Sequence, residues 1–230
     1  MMIQLFHLTK VHASGVQVLD NAFFSVPAGA FMVVAGENRA GKSTLLKLLA
    51  GEDKPTSGTV RIDQKDIYSL SPRDKQKWLS EVGFIFPDLK LFPDKTVEEN
   101  ILFPLRVRGS FAEDQKIPVA KLLERAGLQA QAAHKPSDLS SGELKMAVAL
   151  RAMVFKPRLL LADDPFLGMD PKSALLLWRL FAELHKSGTT ILISLQRTQD
   201  LAAAGETLRE IPLTMVQLQD GKLTPIEGIA

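Results

Sequence analysis

The stretch FMVVAGENRAGKSTLLKLLAG, Phe31 to Gly51, constrains the fold more than any other part of the chain. FMVVAG is a short apolar run, too brief for a helix, and reads as a buried strand stopped by Gly36. GKSTLLKLLAG has helical spacing and closes on Gly51, a C-cap residue. Between them, GENRAGKS, Gly36 to Ser43, satisfies G-x-x-x-x-G-K-[ST] at each fixed position, with a strand before it and a helix after it. Glycines let such a backbone curl until its N–H groups face inward. Those groups and the helix N-terminus favour an anion. In this arrangement Lys42 reaches terminal phosphates, Ser43 offers a hydroxyl to Mg²⁺ and Thr44 adds a phosphate contact. Gly36, Glu37, Asn38, Arg39, Ala40 and Gly41 complete the candidate loop. A glycine-rich turn that merely caps a helix does not require the Lys-Ser pair. Arg39 stands where a small residue is expected; it either adds a cation or crowds the loop, and it lacks glycine's freedom at positive φ.

The rest of the chain places that unit in an α/β protein. MIQLFHL and NAFFSVPAG read as strands, SGTVRID as another, and SPRDKQKWLSE as a short helix capped by a serine. From about residue 88 to 157 helical segments dominate: TVEENILFPL, AEDQKIPVAKLLERAGL and SGELKMAVALRAMVF. RLLLA returns to strand, followed by the helix PKSALLLWRLFAELHKSG and the strand TTILISL. TLREIPLTMVQLQDGKLTPI predicts two strands around an Asp220-Gly221 turn. Strands alternating with helices imply a parallel sheet. Ligands then bind beyond the carboxyl ends of the strands, where FMVVAG, RLLLA and TTILISL all terminate.

Composition narrows the class of function. The 230 residues suit one domain with a subdomain, here 1–230 with a helical part at about 88–157. A net charge of +2, with no basic arm and a single tyrosine, argues against a nucleic-acid partner. The lack of cysteine excludes disulfides and thiolate metal sites. No apolar run reaches the roughly 18–20 residues that span a bilayer, and the N-terminus lacks a signal-peptide core. A membrane connection would therefore run through a partner.

LLLADDPFLGMD, Leu159 to Asp170, ends an apolar strand in two adjacent carboxylates, Asp163 and Asp164. Such a pair either holds a metal and activates a water or simply meets solvent at a strand end. Ser140 and Glu143 form an S-x-x-E capping box ahead of LKMAVALRAMVF. That places a helix N-terminus, favourable to a phosphate, at Ser140 to Glu143.

Taken together, these residues resemble the ATP-binding cassette (ABC) ATPases over essentially the whole chain. GENRAGKST is similar to that family's GPNGAGKST, LSSGE (Leu139 to Glu143) to its LSGGQ or LSGGE signature, LLLADD to its Walker B strand with the following catalytic carboxylate, and GMD to its D-loop. The resemblance implies a P-loop NTPase core with a mostly parallel sheet, an N-terminal antiparallel β subdomain and a helical signature subdomain. It implies a dimer, homomeric or heteromeric, that sandwiches ATP and Mg²⁺ between the phosphate loop of one protomer and the signature of the other. Ser140, Ser141, Gly142, Glu143 and Asp170 then belong to the dimer contact, Ser43 and Asp163 to the metal, and Asp164 and Gln196 to catalysis. It further implies an integral membrane permease as partner and a cytoplasmic position on the inner face of the cell membrane. TVEENILFPLRVRG and DDPFLGMDP are similar to the ATPases of Mce-type lipid-trafficking transporters. The compact cassette is similar to those of cell-division complexes and of lipoprotein or macrolide export.

Several positions depart from the family pattern. Pro87 replaces the Q-loop glutamine and brings neither a side-chain ligand nor an N–H. Gln196 replaces the switch histidine and cannot carry a proton as imidazolium does. Ser141 replaces the first signature glycine. His12 stands near the position of the residue that stacks on adenine, and is either that residue or a surface histidine. Asp164 replaces the general-base glutamate and is roughly 1.5 Å shorter. A base must come within about 2.6–3.2 Å of its proton, and losing it costs on the order of 10²–10⁴ in rate. Binding residues are kept while hydrolytic ones change, which predicts an ATP-driven subunit with slow turnover. The competing expectation is a non-hydrolysing sensor or structural subunit; a soluble P-loop kinase fits the signature segment less well.

Overall fold

The computed structural model describes residues 2–88, 90–109, 116–196, 201 and 211–226. Its centre is a sheet of β3 (Phe31–Ala35), β6 (Val82–Ile85), β7 (Leu159–Asp163), β8 (Thr190–Leu195), β9 (Leu213–Gln219) and β10 (Lys222–Pro225), in the order β10-β9-β3-β8-β7-β6. All neighbours are parallel except the β9–β10 hairpin. That hairpin turns at Asp220 and Gly221, both with positive φ (50° and 76°), as the turn pair predicts.

β3, β7 and β8 are buried along their whole length, as expected of central parallel strands covered on both faces. Their side chains alternate between two cores. Phe31, Val33, Leu160, Ala162, Ile191 and Ile193 face one, together with α3 (Val97–Val107), α4 (Lys116–Arg125), α5 (Ser141–Met153) and α6 (Pro171–Lys186). Met32, Val34, Leu159, Leu161 and Leu192 face the other, against α1 (Lys42–Ala50) and a second sheet. That second sheet is antiparallel: β1 (Ile3–Val11), β2 (Gln17–Val26), β4 (Ser57–Ile62) and the two-residue β5 (Lys65–Asp66), in the order β2-β1-β4-β5. β5 was not expected; it forms because Asp63 and Gln64 adopt left-handed φ (48° and 66°) and fold the chain back on β4.

The caps follow the side chains. α1 ends at Gly51 (φ 68°), α2 (Pro72–Ser80) starts at Ser71, whose hydroxyl accepts from the Asp74 N–H, and α3 starts with a Thr96–Glu99 capping box. α3, α4 and α5 lie between β6 and β7. The expected helix AEDQKIPVAKLLERAGL is described as helix over Lys116–Arg125, and its residues 112–115 lie outside the described residues, as do 207–210 of the expected C-terminal strands. Among the described residues no helix is long and apolar enough to cross a membrane.

Candidate functional site

The phosphate loop is clamped from two sides by backbone. A Cβ on Gly36 would lie 2.7 Å from the Leu218 carbonyl of β9; one on Gly41 would lie 2.8 Å from the Val18 carbonyl of β2. Gly41 also has φ 101°, a conformation that L side chains rarely adopt. Lys42 is buried, and its Nζ donates to the Gly36 and Glu37 carbonyls at 2.7 and 2.9 Å. Burial lowers the Lys42 pKa, while Asp164 and Asp163 act to raise it. Arg39 adopts φ 67°, so the loop imposes the left-handed conformation on a residue that is not glycine.

The loop opens on a cleft of about 440 Å³. Asn38, Arg39, Gly41, Lys42, Ser43 and Thr44 line one wall; Asp163, Asp164, Pro87 and Leu167 line another. His12 joins them, with Nε2 3.3 Å from Thr44 Oγ1. Glu37 and Ala40 instead border a neighbouring cavity beside β9, with Asn38 and Arg39 shared.

The two carboxylates differ sharply. Asp163 ends β7, is 5% exposed, and its Oδ1 accepts the Ser194 hydroxyl at 2.5 Å. Asp164 has φ 48°. Its N–H donates to the Ser194 carbonyl and hydroxyl oxygens at 3.2 and 3.0 Å. Its Oδ1 accepts from the Gln196 N–H at 3.2 Å, which draws the carboxylate toward the end of β8. Asp164 and Gln196 are thus brought together through Gln196's backbone.

Ser194 is the residue that sequence reasoning missed. It is fully buried and sits opposite Asp163 in the β7–β8 register, where its hydroxyl serves both carboxylate residues. The available signal was a lone hydroxyl in the otherwise apolar run ILISL. Buried hydroxyls demand partners.

The signature residues are not in the lining of the phosphate cleft. Ser140 caps α5: its backbone N–H donates to Glu143 Oε2 at 2.8 Å and its hydroxyl at 2.7 Å, and the Glu143 N–H returns a bond to that hydroxyl at 3.3 Å. The side-chain bond from Ser140, then its backbone bond, lowers the Glu143 pKa. Gln131 also donates to Glu143 at 2.8 Å. Asp170 caps α6, accepting from Lys172 and Ser173 N–H groups at 3.0 and 3.1 Å and from the Ser173 hydroxyl, the bond that most lowers its pKa. A Cβ on Gly142 would come 3.9 Å from Asp170 Oδ2, so signature and D-loop segments adjoin within one chain. Ser141 lines a second cleft, about 330 Å³, that shares Pro87, Asp163, Asp164 and Leu167 with the first. Lys145 of α5 donates to the Leu167 carbonyl and ties these segments together.

These residues fit a magnesium–phosphate group. The glycine cradle leaves room where a Cβ would collide, Lys42 is the buried cation, and a hydroxyl (Ser43) and a carboxylate (Asp163) border the same cleft. Among the described residues no three acidic or imidazole side chains gather into a metal cage. Mg²⁺ typically needs none, because it takes one or two protein ligands and completes its shell with water and phosphate.

Comparison with known proteins agrees with this geometry. Residues 19–167 match the family model of the ABC transporter. The chain is 33% identical over 222 residues to the cell division ATP-binding protein FtsE of Escherichia coli, covering 96% of this chain and 97% of that protein. It is also 33% identical over 221 residues to the lipoprotein-releasing system ATP-binding protein LolD of Colwellia psychrerythraea, covering 94% and 85%. Among solved structures, the ATP-binding cassette MJ0796, described as a post-hydrolysis dimer bound to ADP and Pi, superposes with a TM-score of 0.84 at 27% identity, over 99% of this chain and all of that one. The chain therefore belongs to the ABC transporter family, as an ATP-binding subunit that uses ATP and Mg²⁺.

Proposed function

We propose that this subunit is a slow hydrolase: it couples ATP-driven dimer closure to an integral membrane permease from the cytoplasmic face, and it reopens after infrequent hydrolysis. The observation that carries this reading is the short, tethered carboxylate of Asp164, held at left-handed φ with its Oδ1 bonded to the Gln196 N–H.

In this reading Lys42 and backbone N–H groups of the Gly36–Thr44 loop bind the phosphates. Ser43 and Asp163 hold Mg²⁺, which when bound screens the phosphate charge. Ser194 orients Asp163 and fixes the Asp164 backbone. Ser140, Ser141, Gly142 and Glu143 present the N-terminus of α5 to the partner's nucleotide, and Asp170 lies in the same contact. His12 lies along the cleft wall as the adenine-side residue. Residues 88–157 form the subdomain that meets the permease, next to Pro87. Only the closed dimer needs a terminal phosphate between its halves, so ATP binding itself shifts the population toward closure. Asp164 is left as the base that accepts a water proton, with a side chain one methylene shorter than glutamate.

Steady-state ATPase activity, measured with the permease present, tests this. Wild type should turn over slowly, on the order of 10²-fold or more below a cassette with an intact base, and Lys42→Ala should abolish activity. Turnover equal to that of Lys42→Ala, with ATP affinity intact, would favour the competing reading suggested by the loss of glutamine at Pro87 and histidine at Gln196: a subunit that senses nucleotide without hydrolysing it.

A further inference from the structure

We infer that Arg39 is a second phosphate-directed cation of the nucleotide cleft, one that favours nucleotides in order of their phosphate charge. The inference rests on the reading of that cleft as the ATP site.

Three observations lead to it. Arg39 holds φ 67° at the turn of the phosphate loop, where glycine would be unstrained. A left-handed L-residue at a functional loop points to a use for its side chain. Arg39 is exposed, and among the described residues no carboxylate pairs with it. Its charge is therefore not consumed inside the fold. Finally, it borders the same cleft as Lys42, Asp163 and Asp164.

Charge explains what the side chain adds. With Lys42 alone, Asp163 and Asp164 would leave these lining groups net negative toward a polyanion. Arg39 brings them to balance before Mg²⁺ is counted. A guanidinium offers several donors and keeps its charge at any working pH, which suits phosphate oxygens. Attraction scales with ligand charge, so the gain falls from ATP to ADP to AMP.

The test is a titration of the full chain, at concentrations where it is monomeric, with ATP, ADP and AMP in the presence of EDTA, so that the three ligands keep their full order of phosphate charge. Arg39→Gln should weaken ATP about tenfold, ADP less, and AMP by less than about twofold; Arg39→Lys should retain most of the affinity. Arg39→Gly removes strain together with charge, so it should melt higher while binding ATP as weakly as the glutamine variant. The inference is overturned if Arg39→Gln binds ATP like the wild type, if all three nucleotides weaken equally as a distorted loop would make them, or if the loss occurs only in the dimer. Lys42→Ala in the same assay separates the two levels. If it loses ATP while Arg39→Gln does not, this inference alone fails; if it keeps ATP, the nucleotide-site reading fails as well.

Discussion

Asp164 sits at φ 48°, where Asp is tolerated better than longer side chains because its short carboxylate bonds nearby backbone. Here that bond runs from the Gln196 N–H to Oδ1 at 3.2 Å. Asp164→Glu adds roughly 1.5 Å of reach and gives up some conformational fit. We expect hydrolysis to rise by about tenfold or more while the nucleotide-free protein loses roughly 1 kcal/mol or less of stability. Parallel ATPase and thermal-melting measurements check both halves, and unchanged or lower turnover would show that the site lacks more than one methylene. The two carboxylates and their order were legible in the sequence because they end an apolar run. Ser194 was not, because its role depends on the pairing of β7 with β8, a contact between residues 31 positions apart. Likewise the left-handed turn at Arg39 is imposed by the loop as a whole, against the preference of the residue in it.

At the scale of the element, the helix starts are readable and their partners are not. The capping box at Ser140 and Glu143 was written in the sequence and forms as expected, because its bonds close within four residues. An equivalent box at Thr96 and Glu99 escaped notice although TVEE carries the same pattern. The ties from Gln131 to Glu143 and from Lys145 to the Leu167 carbonyl bring in distant residues, and no local pattern announces them. Replacing Ser140 by Ala should cost roughly 0.5–2 kcal/mol. The pH dependence follows from Glu143, whose folded pKa is depressed first by the Ser140 hydroxyl. A depressed carboxylate contributes stability above its unfolded pKa, about 4.3, and loses it as pH falls through the lower folded value. The gap between wild type and Ser140→Ala should therefore be full at pH 7 and shrink below about pH 4. Urea melts at both pH values decide it; a gap that does not narrow would mean that the hydroxyl acts only on the Glu143 N–H.

At the scale of the molecule, one edge of the parallel sheet gathers the ends of β3, β7 and β8, and with them the loop, the carboxylates and Gln196. The signature residues do not line the phosphate cleft, and in the proposed reading a single chain holds half of each site while a partner supplies the other half. ATP binding and assembly are then linked, and what binds only the closed state stabilises it by mass action. In a fast hydrolase that state is transient. In the reading proposed above the general base is short, the glutamine position holds Pro87 and the histidine position holds Gln196, so closure should outlast mixing. We expect size-exclusion chromatography of the wild-type chain with ATP and Mg²⁺ to show a dimer, without any inactivating substitution, and ADP to give monomer. Asp164→Glu should shorten the dimer's life in proportion to the turnover it restores, whereas Lys42→Ala should never form it. A wild-type ATP dimer that decays within seconds, with ADP released at the same rate, would mean that groups other than these three position the water, and the slow-hydrolase reading would fall with it.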